Sequence, residues 1–362
     1  MRGDVSQQAV ILSAITPDQL VPQDHPIRRI KPIVDRALRE LSPVFREMYA
    51  RVGRPSIPPE HLLKGSLLIA LFSVRSERQF CERLQYDLLF KWFLDLNITD
   101  VAFDASTFSK NRERLLAHDV ARQFFVAVRA QADRAGLLSD EHFSVDGTLL
   151  EAWASQKSYR PRDGDGPPAS GAGRNPEVDF RGERRRRDTH VSRTDPQALL
   201  YRKGRGQAAK LSFLGHVLIE NRHGLVVDVE LTQATGTAER DAAQRMLRRR
   251  AARGRRATVA ADRGYDTRDF VAACRADGVT PHVARNTVHR RSAIDGRTTR
   301  HPGYERSLRR RKLVEEVFGW IKTVGGGRKL RFIGVMRNQL WAELTACAYN
   351  LVRMAKLGVA AT

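Results

Sequence analysis

The chain has 362 residues, room for about two domains of ordinary size. Its 63 Lys and Arg against 41 Asp and Glu give a formal net charge of +22, which predicts attraction to a polyanion. Nucleic acid comes before an anionic membrane, because the basic residues are spread along the chain. Three isolated cysteines exclude a disulfide framework and a Cys-x-x-Cys zinc site. No apolar stretch approaches the roughly 20 residues of a membrane span, and no signal-peptide layout is present, so a reduced cytoplasmic setting is expected.

Residues 1–135 read as helical. "HPIRRIKPIVDRALREL" puts Ile27, Ile30, Ile33, Val34 and Leu38 on one helix face. "SIPPEHLLKGSLLIALFSV" opens on prolines suited to a first helical turn and then runs apolar. "DASTFSKNRERL" offers Asp104 or Ser106 as a cap, then Lys110, Arg112 and Arg114 on a short helix. Short helices with a basic third member suit a helix-turn-helix-like DNA-binding module, and equally a bundle with a solvated basic face.

Residues 136–356 read as a second domain and 357–362 as a tail. Its segment 156–209 is rich in Gly, Pro, Arg and Asp and poor in aliphatics, so it reads as a long loop or disordered insertion. The run Arg184–Arg187 either touches phosphate or is merely solvated. "EHFSVDGTLLEAW" before the insertion reads as a strand, and "LSFLGHVLIENRHGLVVDVELTQA" after it as two strands joined at Arg222–Gly224. A helix capped by Thr237 follows, then the strand "ATVAAD", a helix, the strand "VTPHVA", a basic loop, the helix around "RRRKLVEEVFGWIK" and a final helix. Three strands, then helices and strands in alternation, describe a mixed α/β sheet with helical cover.

Two acids stand where a buried strand would not choose them. Asp146 interrupts "FSVDGTLL", where an unpaired charge would cost several kcal/mol or shift its pKa. Asp262 ends its strand before a Gly264 turn, at a carboxyl edge where open α/β sheets put their clefts. A third acid, Glu315 or Glu316, comes from the late helix. At about 100° per residue, Val314, Val317, Phe318 and Ile321 form its apolar stripe, Glu315 borders that stripe, and Glu316 faces solvent. Arg311 and Lys322 share the border with Glu315, and Tyr304 joins them if the helix extends that far back. Three converging carboxylates call for divalent cations, and hard Mg²⁺ with oxygen ligands suits phosphodiester chemistry. Glu151 reads as a second-rank or surface acid, His216 and His223 as packing or surface residues, and Trp153 and Trp320 as core with a minority chance of stacking on a base.

"VDGTLLEAWAS", "ADRGYDT" and "RKLVEEVFGWIK" resemble the three catalytic blocks of bacterial insertion-sequence transposases of the DDE class, nearest the IS-five family within the IS-four-like group. "GRPSIPPEHLLKGSLLIALFSVRSERQFCERL" and "FDASTFSKNRERL" resemble that family's N-terminal DNA-binding region. The resemblance implies a ribonuclease-H-like catalytic domain behind an all-helical DNA-binding and dimerising domain. It matches Asp146, Asp262 and Glu315 to the catalytic, metal-holding acids, with two Mg²⁺ ions for which Mn²⁺ can substitute. Arg311 and Lys322 match the phosphate-binding positions; a family tyrosine three residues before the Arg is here Leu308, leaving Tyr304 as its substitute. The implied partners are double-stranded DNA, as terminal inverted repeats and target, and a second copy of the chain on synapsed ends. The implied activity is cut-and-paste transposition in a bacterial cytoplasm, at the nucleoid. The alternatives are a nuclease of the same fold, and a non-catalytic DNA-binding protein or repressor derived from a transposase.

Overall fold

The computed structural model describes residues 16–49, 52, 56–162, 188–202, 204, 207–251 and 256–358. The first part is helical: α1 (Pro17–Leu20), α2 (Ile27–Glu40), α3 (Ser42–Met48), α4 (Pro59–Leu71), α5 (Glu77–Tyr86), α6 (Leu88–Phe93), α7 (Ser106–Ala117) and α8 (Val120–Arg134). The strands β1 (His142–Glu151), β2 (Tyr159–Pro161), β3 (His190–Ser192), β4 (Leu199–Tyr201), β5 (Lys210–Glu220) and β6 (Val226–Gln233) follow. Next come α9 (Ala238–Ala251), β7 (Ala257–Ala261), α10 (Arg268–Ala276) and β8 (Val279–Val283). The chain closes with α11 (Gly296–Arg300), α12 (Pro302–Arg310), α13 (Leu313–Thr323) and α14 (Val335–Lys356).

The main sheet runs β6–β5–β1–β7–β8, with β4 beside the start of β5. The pair β1–β5 is antiparallel, whereas β1–β7 and β7–β8 are parallel. This is a ribonuclease-H-like mixed sheet behind a helical N-terminal region. Helices cover both faces, so β5 is buried from Leu211 to Glu220 and reads as an almost unbroken apolar run. One face packs Phe143, Val145, Leu218 and Val259 against Met246 and Phe270. The other packs Val217, Ile219 and Val229 against Val314, Val317 and Leu351. The turn between β5 and β6 needs the positive φ of Gly224, +71°. The fully buried Glu220 satisfies that turn, accepting from the backbone N–H of Arg222, His223 and Leu225.

The chain turns at Gly136 after α8, near the boundary expected at 135, yet one apolar core crosses it. Phe124, Val128, Leu62 and Ile33 from the N-terminal helices share that core with Leu344, Leu351 and Met354 of α14. The N-terminal helices are therefore fixed against the sheet through α14.

The loop expected across 156–209 is ordered at both ends. There β2 and β3 pair as a ribbon, Tyr159 stacks on His190 with ring centroids 5.5 Å apart, and β4 joins the main sheet. Asp195, fully buried, accepts from Gly334 N at 3.1 Å and ties this region to the start of α14. A few polar anchors of this kind order a segment too poor in aliphatics to build a core. Residues 163–187, with the Arg184–Arg187 run, lie outside the described residues. All three cysteines are free and buried, and burial pushes the Cys81 and Cys274 thiols up to about 12. Among the described residues no helix is long and apolar enough to cross a membrane.

Candidate active site

The sheet register brings the first two acids together. His142, Phe143 and Ser144 of β1 pair in parallel with Thr258, Val259 and Ala260 of β7. The ladder stops there, and two residues further along each run stand Asp146 and Asp262, close enough for Asp262 to add to burial in raising the Asp146 carboxyl. The Asp262 side chain accepts from Gly264 N at 2.8 Å and caps a short 3₁₀ turn, Arg263–Tyr265. Asp146 Oδ1 accepts from Gly147 N at 2.8 Å, and its Oδ2 takes the Arg311 guanidinium at 3.2 Å. Burial, above all, pushes the Asp146 carboxyl up to about 7; Asp262 and Glu239 push the same way, and the Gly147 N–H and Arg311 pull against them.

Alternation along β1 puts Thr148 on the same face as Asp146, and there Lys322 Nζ donates to Thr148 Oγ1 at 2.6 Å. Arg311, in the link before α13, and Lys322, in its last turn, thus both reach the acid-bearing stretch of β1. The stripe Val314, Val317, Phe318 and Ile321 is buried, as the helical spacing requires. Glu315, exposed in the first turn of α13, lies between the two cations in sequence.

Several expectations need correcting. The late helix is not continuous: α12 ends at Arg310 and α13 begins at Leu313. The link is held by i to i+3 bonds, with Val314 N on Arg311 O and Glu315 N on Lys312 O. Glu316 is exposed, as expected, with Arg353 3.7 Å from its carboxylate in a long surface pair of small energetic weight. Tyr304 is a core residue rather than a phosphate ligand. It is 8% exposed, its hydroxyl donates to Val283 O at 2.9 Å, and its ring meets His282 edge-on. Tyr304→Phe should therefore leave DNA cleavage unchanged while costing about 1 kcal/mol of stability in a denaturant titration, the ordinary worth of one hydrogen bond. A cleavage defect without a stability loss would restore Tyr304 to the site.

Of the three basic residues expected on DNA, Arg112 pairs with Glu77 and stacks 4.3 Å from the Phe332 ring, tying α7 to α5 and the α14 approach. Arg114 lies 4.5 Å over Tyr49 and donates to Asn111 at 2.7 Å. Lys110 is exposed. Guanidinium groups on a short helix here serve as inter-helix struts, because neighbouring rings and an acid lie within reach. Trp153, expected in the core, is 53% exposed, with Lys329 Nζ 5.9 Å from its ring. Trp320 packs edge-on against Tyr349, and Glu151 pairs at the surface with Lys210. His216 is fully buried with Nε2 on Thr232, and burial lowers it to about 3, which fits packing.

Among the described residues no three His, Cys, Asp or Glu side chains stand close enough to grip an ion as they are. The expected cluster of Asp146, Asp262 and Glu315 is therefore not preassembled. The donor chemistry nevertheless fits a hard cation. The donors are oxygens only, and Asp146 is buried in a field of like charges that a cation would relieve. Tyr265 adds a fully buried hydroxyl with no hydrogen-bond partner among the described residues, in the field of Asp146, Glu239 and Asp262. Glu239, which the sequence reading did not single out, stands near enough to add to burial in raising both the Asp146 and Tyr265 groups. An acid in the first turn of a helix looks like ordinary dipole compensation, and nothing local marks it as anything else.

Comparison with known families supplies two matches. The model for a transposase domain (DUF772) matches residues 15–114, and that for the transposase DDE domain matches residues 178–351. Asp262, Arg311, Glu315 and Lys322 fall inside the second match, whereas β1 with Asp146 precedes it. Neither the curated proteins nor the solved structures contain a match.

Proposed function

With the chain marked as a DDE-type transposase by these two domains, we propose that it is an insertion-sequence enzyme of the IS-five kind that moves DNA by cutting and joining at terminal inverted repeats. The supporting observation is the placement of Asp146 and Asp262 side by side beyond the paired ends of two parallel strands, with Arg311 and Lys322 reaching the same stretch of β1. Asp146 and Asp262 would hold divalent cations, Mg²⁺ or Mn²⁺, with Glu315 completing the set. Bound there, such ions activate an attacking oxygen and stabilise a leaving one.

The chain's own groups do the rest. Arg311 neutralises Asp146 in the metal-free protein and is placed to hold a phosphate, and Lys322 is anchored on Thr148 beside it. Water attack at a terminal phosphodiester frees a 3′-hydroxyl, which then attacks a target phosphodiester. A net charge of +22 supplies the non-specific hold on the duplex, and the N-terminal helices supply end recognition and pairing of two copies.

A strand-transfer assay on the flanking inverted repeats tests the reading. Joined products with Mg²⁺ and none with EDTA are expected. Cutting without joining would leave a nuclease of the same fold, and binding without cutting would leave a DNA-binding protein.

A further inference from the structure

Glu239 opens α9, immediately after the last antiparallel strand of the sheet, and α9 lies on the face opposite α13. Residue 147 of β1 points to that α9 face, since Asp146 and Thr148 point to the other. It is a glycine, and a Cβ there would stand 2.8 Å from Glu239 Cγ and 2.9 Å from its Oε1. The Glu239 side chain thus occupies the volume that any other residue at 147 would fill. Asp146 Oδ1 accepts from the N–H of this same glycine, so the two carboxylates flank one peptide from opposite sides of the sheet. A second observation points at a missing partner: the buried Tyr265 hydroxyl has no hydrogen-bond partner among the described residues and lies in the field of Asp146, Glu239 and Asp262. Beyond burial, Asp262 and Glu239 both raise the Asp146 carboxyl, a like-charge repulsion that a bound cation would relieve.

We propose that Glu239 is a fourth carboxylate of the active site, which would hold a divalent cation together with Asp146, beside the buried Tyr265 hydroxyl. The assignment rests on the cation-dependent reading of the site given above. It also supplies a reason for the glycine of the Asp-Gly pair: any side chain at 147 would displace the Glu239 carboxylate from its place beside β1.

Calorimetric titration of the full-length protein with Mn²⁺ separates this proposal from the broader one. Glu239→Gln should weaken Mn²⁺ binding by about 10-fold or more, the scale seen when a group supporting a metal site is lost. Gly147→Ala, which crowds the Glu239 carboxylate without touching its charge, should weaken binding in the same direction. Asp241→Asn, exposed two residues along α9, should bind as the wild type does. If Glu239→Gln binds Mn²⁺ normally while Asp146→Asn and Asp262→Asn do not, Glu239 is not a ligand and the two-strand site stands. If no acid variant alters binding, both readings fail. A loss in Asp241→Asn equal to that in Glu239→Gln would mean general charge rather than a site, and would overturn the proposal.

Discussion

Replacing Asp146 with Asn is expected to abolish Mg²⁺-dependent cleavage and joining, by about 10³-fold or more, the upper range for losing one preorganised electrostatic group. The same substitution should make the metal-free protein more stable. Folded, the Asp146 carboxyl titrates at about 7 against an ordinary 3.8, so the folded chain binds that proton more tightly than the unfolded chain does. The wild type therefore loses stability as pH rises from about 4 to about 7, and the loss is complete above that range. Asn carries no such loss and keeps one oxygen for Gly147 N, giving up only the Arg311 pair. The variant should melt several degrees higher at pH 8, on the order of 2–4 kcal/mol, with the gap closing toward pH 4. Calorimetric melting at the two pH values checks the stability half, and an end-cleavage assay the catalytic half. An acid kept where it weakens the fold is kept for its chemistry. A variant that cleaves normally, or melts lower at pH 8, would contradict this.

The second large effect separates two adjacent residues. If Glu315 completes the metal set as proposed, Glu315→Gln should reduce end cleavage by about 10²–10³-fold while leaving DNA binding intact; in sequence it lies between Arg311 and Lys322, both of which reach β1. Glu316→Gln should change cleavage less than about twofold. It gives up only a long, exposed pair with Arg353, a contact of the kind worth at most about 1 kcal/mol. Cleavage kinetics and a gel-shift titration on both variants decide it. Equal defects would mean that the helix geometry does not select Glu315.

How legible each feature was followed from the range of the interactions behind it. Elements whose apolar spacing is local were readable: β1, the β5–β6 pair, and the buried stripe Val314, Val317, Phe318 and Ile321 on α13. Asp146 stood out because a charge in an apolar strand breaks the local pattern, and Asp262 because it ends a strand before a glycine. Residues whose roles depend on distant partners were misread. Tyr304 gave no sign that Val283 O would take its hydroxyl, nor Arg112 that Glu77 and Phe332 would claim its guanidinium. Glu239 gave no sign that a glycine over ninety residues earlier had left room for it.

The sequence by itself determined the class of element at each point, the excess of positive charge, and which acids break their local apolar pattern, since all of these depend on residues within a few turns of one another. The tertiary structure alone decided which side chains meet. It set the runs that carry Asp146 and Asp262 side by side through parallel strand register, brought Arg311 and Lys322 down on β1, broke the late helix at Arg311 and Lys312, and carried Glu239 to Gly147 from the opposite face. Those meetings arise from pairing and packing between segments up to about 170 residues apart, for which no local pattern in the chain carries a signal.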